Sequence, residues 1–107
     1  MKILITGGAG FLGTHLVEYW VNMGHQISVL NTKSKRSTEF ASAFHSDVEI
    51  KWGTVEDYNT VKNSVKGKDL VVHLAAKVNV DQSVVSPKDY FATNLDGTIN
   101  VLEAARN

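Results

Sequence analysis

The chain has 107 residues, 43% apolar and 21% charged, and its 11 Lys and Arg balance 11 Asp and Glu. That length suits one globular domain spanning 1–107, and the zero net charge argues against a nucleic-acid or membrane surface as partner. The absence of cysteine excludes disulfides and thiolate chemistry; with no signal-peptide pattern and no apolar run of membrane-spanning length, it suits a cytoplasmic protein.

Apolar runs and helical periods alternate along the chain. Ile3–Ile5 reads as a short strand too apolar to have a wet face. From Phe11 a helix is expected, with Leu12, Leu16, Tyr19, Trp20 and Met23 as its apolar stripe and Gly24 as its stop. Ile27–Leu30 is a second strand. The stretch 31–46 starts polar and basic and offers a weak helix only around Phe40–Phe44. Val48, Ile50 and Trp52 alternate as a third strand. Asp57 can cap a helix carrying Val61 and Val65, which Gly67 ends. Leu70–Leu74 is a fourth strand. Ser86, Pro87 and Asp89 make a helix entrance at N-cap, N1 and N3, and Phe91, Asn94, Leu95, Thr98, Val101, Leu102 and Ala105 share the face of the helix beyond. A β-α repeat of this kind calls for an α/β fold with a parallel sheet and right-handed crossovers, about four strands in the order 3-2-1-4.

Gly7, Gly10 and Gly13 lie between the first strand and the first helix. Gly7 permits a sharp turn, Gly10 lets main chain approach phosphate oxygens without a Cβ, and Gly13 lets the helix pack close to the sheet. In a βαβ unit this spacing points to a dinucleotide held by backbone N–H groups at a helix N-terminus.

Thr6-Gly7-Gly8-Ala9-Gly10-Phe11-Leu12-Gly13 resembles the glycine signature of the extended short-chain dehydrogenase/reductases, the nucleotide-sugar epimerases and dehydratases. His73-Leu74-Ala75-Ala76 is similar to their HxAA segment. Ser83, Pro87, Asn94, Gly97 and Thr98 match the spacing of a further family stretch. The resemblance covers essentially the whole chain. It implies a Rossmann-like, doubly wound sheet, truncated here, and contacts to NAD or NADP from Gly7, Gly10, Phe11, Leu12, Gly13, Leu74, Ala75, Ala76 and the Asn94 amide. In a complete homologue it implies a nucleotide-sugar as second ligand.

Two positions depart from that pattern. Asn31 stands where an Asp usually accepts from the adenosine ribose, so the negative charge that would repel a 2′-phosphate is gone. Thr32, Lys33, Lys35 and Arg36 follow. Lys33 or Arg36 could pair with that phosphate, giving tolerance of or preference for NADP, or the run is simply a solvated loop. At Gly53-Thr54-Val55 the family has Gly-Asp beside the adenine; Thr54 keeps a donor and an acceptor but no charge.

Family catalysis rests on a Ser or Thr and a Tyr-x-x-x-Lys beyond a fifth strand. Tyr58-Asn59-Thr60-Val61-Lys62 has that spacing, but it follows strand three, some ~14 Å of sheet away from strand four. It reads as a packing residue and a solvated one. His15, His25, His45 and His73 lack metal-ligand spacing, and Ser83 has no base at a spacing suited to a nucleophile. Val80-Asp81-Gln82-Ser83 is similar to a segment of sugar-nucleotide dehydratases. The chain therefore reads as a cofactor-binding portion without catalysis of its own, or as a stand-alone dinucleotide-binding or sensing module acting through a partner. Self-association through the strand-four edge or the last helix is expected in either case.

Overall fold

The computed structural model describes residues 1–77 and 84–106. Its elements are β1 (Lys2–Thr6), α1 (Phe11–Asn22), β2 (Gln26–Asn31), α2 (Lys35–Ala41), β3 (Glu49–Trp52), α3 (Tyr58–Val65), β4 (Leu70–His73), α4 (Pro87–Phe91), a π-helical turn (Ala92–Asp96) and α5 (Gly97–Arg106). The four strands form one parallel sheet in the order β3-β2-β1-β4, the order expected from the sequence. Ile5 of β1 pairs with Val29 of β2 and Val72 of β4, and Val29 pairs with Ile50 of β3.

Successive strand residues face opposite sides, so the apolar runs feed two cores. Ile3, Ile5, Ile27 and Val29 bury Val17 of α1 on one face, with Leu16, Trp20, Val21 and Phe44 packed around them. Leu4, Leu30, Val55 and Val61 bury Val101 and Ala104 of α5 on the other. Gly24 (φ +90°) and Gly67 (φ +77°) end their helices as expected, and Asp57 caps α3 by accepting from Asn59 N–H.

Three expectations need correction. The α1 stripe faces the sheet only in part: Leu16 and Trp20 pack on it, but Leu12, Tyr19 and Met23 are more than half exposed, while Gly13 and Val17 are buried. The same has happened in the last helix. Thr93, Gly97, Val101 and Ala104 face inward, and Phe91, Leu95, Ile99 and Leu102 are exposed. In both helices a glycine is the contact point. A Cβ on Gly13 would lie 2.6 Å from Gly8 Cα, and one on Gly97 would lie 2.5 Å from Val55 Cγ2. Backbone comes close where the side chain is smallest, and the large residues are turned to the flanks. The third correction concerns α2, which starts at Lys35 because Ser34 and Ser37 form a reciprocal capping box. Lys35 and Arg36 therefore sit in a helical first turn and not in a loop.

Candidate functional site

The strands all end at one edge of the sheet, and there a cleft of ≈ 590 Å³ opens. Gly7, Gly10, Asn31, Thr32, Thr54, Val55, Leu74, Ala75 and Ala76 line it, all named from sequence. Gly7 turns the chain at φ +73°, its N–H donating to Leu30 O at 2.8 Å. Any Cβ there would sit 2.7 Å from Ala75 N, so the turn also rests against the β4 loop. Gly10 differs: a Cβ on it would meet only Gly7 O, at 3.3 Å.

Gly10 is also the N-cap of α1, with no side-chain cap and no acidic residue in the first turn. Since the first N–H groups of a helix have no intrahelical acceptor, those of Phe11, Leu12 and Gly13 are left for another one. By contrast, α2 and α3 are capped by Ser34 and Asp57. A diphosphate fits this end of α1, where donors and the positive end of the helix dipole converge.

Asn31 braces the glycine turn. Its Oδ1 accepts from Ala9 N–H at 3.1 Å and its Nδ2 donates to Thr32 O at 2.9 Å. Lys33 and Arg36 are exposed and do not line the cleft; the Arg36 guanidinium lies 5.6 Å over the Phe40 ring. Phe11 and Leu12 have exposed side chains, so only their backbones bear on the turn. Asn94 is outside the lining. Its amide makes two bonds to Lys77, accepting from the N–H at 2.7 Å and donating to the carbonyl at 2.8 Å, and so pins the loop after β4.

Behind that loop runs a polar chain. Thr6 Oγ1 accepts from Leu74 and Ala75 N–H (3.1 and 3.3 Å) and donates to His73 Nδ1 at 2.6 Å. His73 Nε2–H donates to Thr98 Oγ1 at 3.1 Å, and that hydroxyl donates to Asn94 O at 2.6 Å. These partners suit a neutral imidazole protonated at Nε2, and burial holds its pKa below the ordinary value of 6.5. His73 thus ties β1, β4 and the last helix together behind the cleft.

The cleft also includes Gly53, which precedes the Thr54 departure, and Leu30, Glu56, Lys77 and Thr93, which the sequence did not mark as site residues. Thr93 is one residue before Asn94, and the π-helical turn brings it inward; no hydropathy signal marks such a turn. Glu56 follows the Thr54 departure directly. Tyr58 packs on the Leu4–Val61 core, Lys62 is exposed, and neither lines the cleft. Asp81 and Ser83 lie outside the described residues, as does the end of the chain at Asn107. Among the described residues no His, Asp and Glu cluster could hold a metal, and no helix is long and apolar enough to cross a membrane.

A parallel sheet of order 3-2-1-4 with a glycine turn into an uncapped helix defines a Rossmann-like nucleotide-binding protein. Residues 3–107 match the NAD dependent epimerase/dehydratase family, and the chain belongs to it. It is 35% identical over 104 residues to UDP-N-acetyl-alpha-D-glucosaminuronate decarboxylase of Bacillus cytotoxicus, covering 97% of this chain and 32% of that protein. Among solved structures it is similar to Pal from Bacillus thuringiensis, with TM-score 0.92 and 32% identity over 100% of this chain and 36% of that one. It is also similar to the Bordetella bronchiseptica enzyme WbmG in complex with NAD, with TM-score 0.84 and 34% identity over 98% of this chain and 33% of that one. The chain spans about a third of the length of these relatives. The expected cofactor class, NAD or NADP, agrees with the family's NAD dependence and with the NAD held by WbmG.

Proposed function

We propose that this chain is the dinucleotide-binding portion of a nucleotide-sugar-modifying enzyme, and that residues 1–107 bind NAD or NADP without catalysing a reaction. The uncapped N-terminus of α1, with Gly10 facing the cleft, is the observation that carries this reading. The backbones of Gly7, Gly10, Phe11, Leu12 and Gly13 would hold the diphosphate. Asn31 and Thr32 would meet the adenosine ribose, Thr54 and Val55 the base, and Leu74, Ala75 and Ala76 the nicotinamide half. Asn94 would act by fixing the Lys77 loop. The bound cofactor supplies hydride acceptance and return. The sequence 1–107 holds no Tyr-x-x-x-Lys except that of Tyr58 and Lys62, which points away from catalysis by this chain. A nucleotide-sugar substrate is suggested by the Bacillus cytotoxicus relative, whose name carries a UDP-sugar.

Without a carboxylate at position 31 nothing there repels a 2′-phosphate, so NADP is tolerated beside NAD. The test is a calorimetric titration of the folded chain with each. Saturable binding with constants within about tenfold of one another (~1.4 kcal/mol) is expected. A chain folded by circular dichroism that binds neither dinucleotide overturns the reading.

Self-association belongs to the same proposal. Phe91, Leu95, Ile99 and Leu102 expose an apolar stripe on the last helix, and no strand pairs with the outer side of β4 among the described residues. Light scattering should give a mass that rises with protein concentration; a constant monomer mass would remove this part. The absence of cysteine supports a cytoplasmic location.

A further inference from the structure

One end of the cleft carries a carboxylate that the diphosphate end does not need. Glu56 Oε2 accepts from the buried Thr93 hydroxyl at 3.0 Å and from Thr54 Oγ1 at 3.3 Å, while Glu56 N–H donates back to Thr54 Oγ1 at 3.1 Å. The Asn100 amide holds the same loop, donating to Val55 O at 2.9 Å and Glu56 O at 3.2 Å. The carboxylate is therefore braced from the β3–α3 loop and from the π-helical turn together. Both hydroxyls use Oε2; among the described residues Oε1 has no hydrogen-bond partner.

A fixed carboxylate repels phosphate and accepts from N–H or O–H groups. In the same cleft the α1 N-terminus attracts phosphate. The two ends thus impose a polarity on any dinucleotide: diphosphate at α1, a donor-bearing neutral group at Glu56. Thr54 offers only a weaker substitute: its hydroxyl proton is directed to Glu56 and one lone pair accepts from Glu56 N–H, which leaves a single uncharged acceptor site.

Resting on the dinucleotide reading above, we infer that Glu56, positioned by Thr93, selects an amino-bearing purine and is the base-specificity residue of this cleft. A 6-amino group donates to the free carboxylate oxygen. A 6-oxo group in its place sets acceptor against acceptor; because Glu56 is exposed, water still reaches its carboxylate, so the preference rests on the lost charge-assisted bond and is moderate.

The test compares NAD with nicotinamide hypoxanthine dinucleotide, its 6-oxo analogue, by calorimetry on the whole chain. The unaltered protein should bind NAD about fivefold to tenfold tighter. Glu56→Ala should bring the two within about twofold, mainly by weakening NAD binding. Thr93→Val, which keeps the side-chain shape, should give an intermediate ratio, and circular dichroism of each variant reports its fold. Equal binding of the two dinucleotides by the unaltered protein, or full discrimination kept by Glu56→Ala, overturns the assignment while leaving the dinucleotide site standing. If neither dinucleotide binds, the assignment falls together with the reading it rests on.

Discussion

The helices α1 and α5 pack on opposite faces of the sheet, and each makes its closest approach through a glycine. They differ in what the glycine meets. Gly13 rests on main chain, the carbonyl of Gly7 and the Cα of Gly8, whereas Gly97 rests on the Val55 side chain. Main chain in a tight turn has nowhere to go; the Val55 side chain can move, but relieving a 2.5 Å contact takes about 1 Å from a buried, β-branched residue. The α1 seat is therefore rigid and shared with the site, since Gly7 and Gly8 belong to the turn. The α5 seat meets a side chain and is less rigid, and the polar chain through His73 and Thr98 helps to hold it.

The contrast is broken most directly by adding one methyl group to each helix. Gly13→Ala should destabilise the fold by about 3 kcal/mol or more and abolish dinucleotide binding, because overpacking against backbone cannot relax. Gly97→Ala should cost less, about 1–2 kcal/mol, since movement of the Val55 side chain and the better helix propensity of Ala offset part of the clash. Chemical denaturation of both variants checks this; equal losses would remove the distinction.

Capping sharpens it further. Ser34→Ala removes the cap of α2 and should cost ~1 kcal/mol in the same assay. Saturating NAD should stabilise the chain without restoring that loss, because the ligand acts at the uncapped end of α1.

The smallest effect is expected from pH. His73 has its pKa lowered by burial, so below the ordinary value of 6.5 the unfolded chain takes up its proton before the folded one does. Its contribution to stability is fully present above that pH, declines as pH falls below it, and levels off once the folded-state pKa is passed. Thermal midpoints between pH 5 and 8 should follow this course in the unaltered protein. His73→Gln should remove its part of the slope and loosen the α5 seat without moving α1. An unchanged slope would mean that the Thr6–His73–Thr98 chain does not set the pH response.

Much of the fold is legible in the sequence. Alternating apolar runs specify β-α units, and right-handed crossovers leave few strand orders open, which is why 3-2-1-4 emerged. Gly24, Gly67 and Asp57 marked helix ends because φ > 0 and N-cap acceptors are local chemical demands. The cleft lining from Gly7 to Ala76 was legible because the glycine turn marks the phosphate end and the family resemblance implied the rest, Asn31, Thr54 and Leu74 to Ala76.

Helix rotation was not legible. A hydropathy stripe weights large side chains, so Leu12, Tyr19, Met23, Leu95 and Leu102 dominated it, yet backbone approaches most closely at Gly13 and Gly97, which carry little hydropathic weight. The early start of α2 was hidden because its signal is two serines bonding each other across one turn. Glu56 and Thr93 are 37 residues apart, and only the packing of the last helix against the β3–α3 loop brings them together. The sequence by itself determined the strands, their order and the phosphate-facing turn, since these follow from local conformation and chain topology. Tertiary structure alone decided which helix faces are buried, how His73 is protonated and where a carboxylate enters the cleft, because each depends on contacts between residues far apart in the chain.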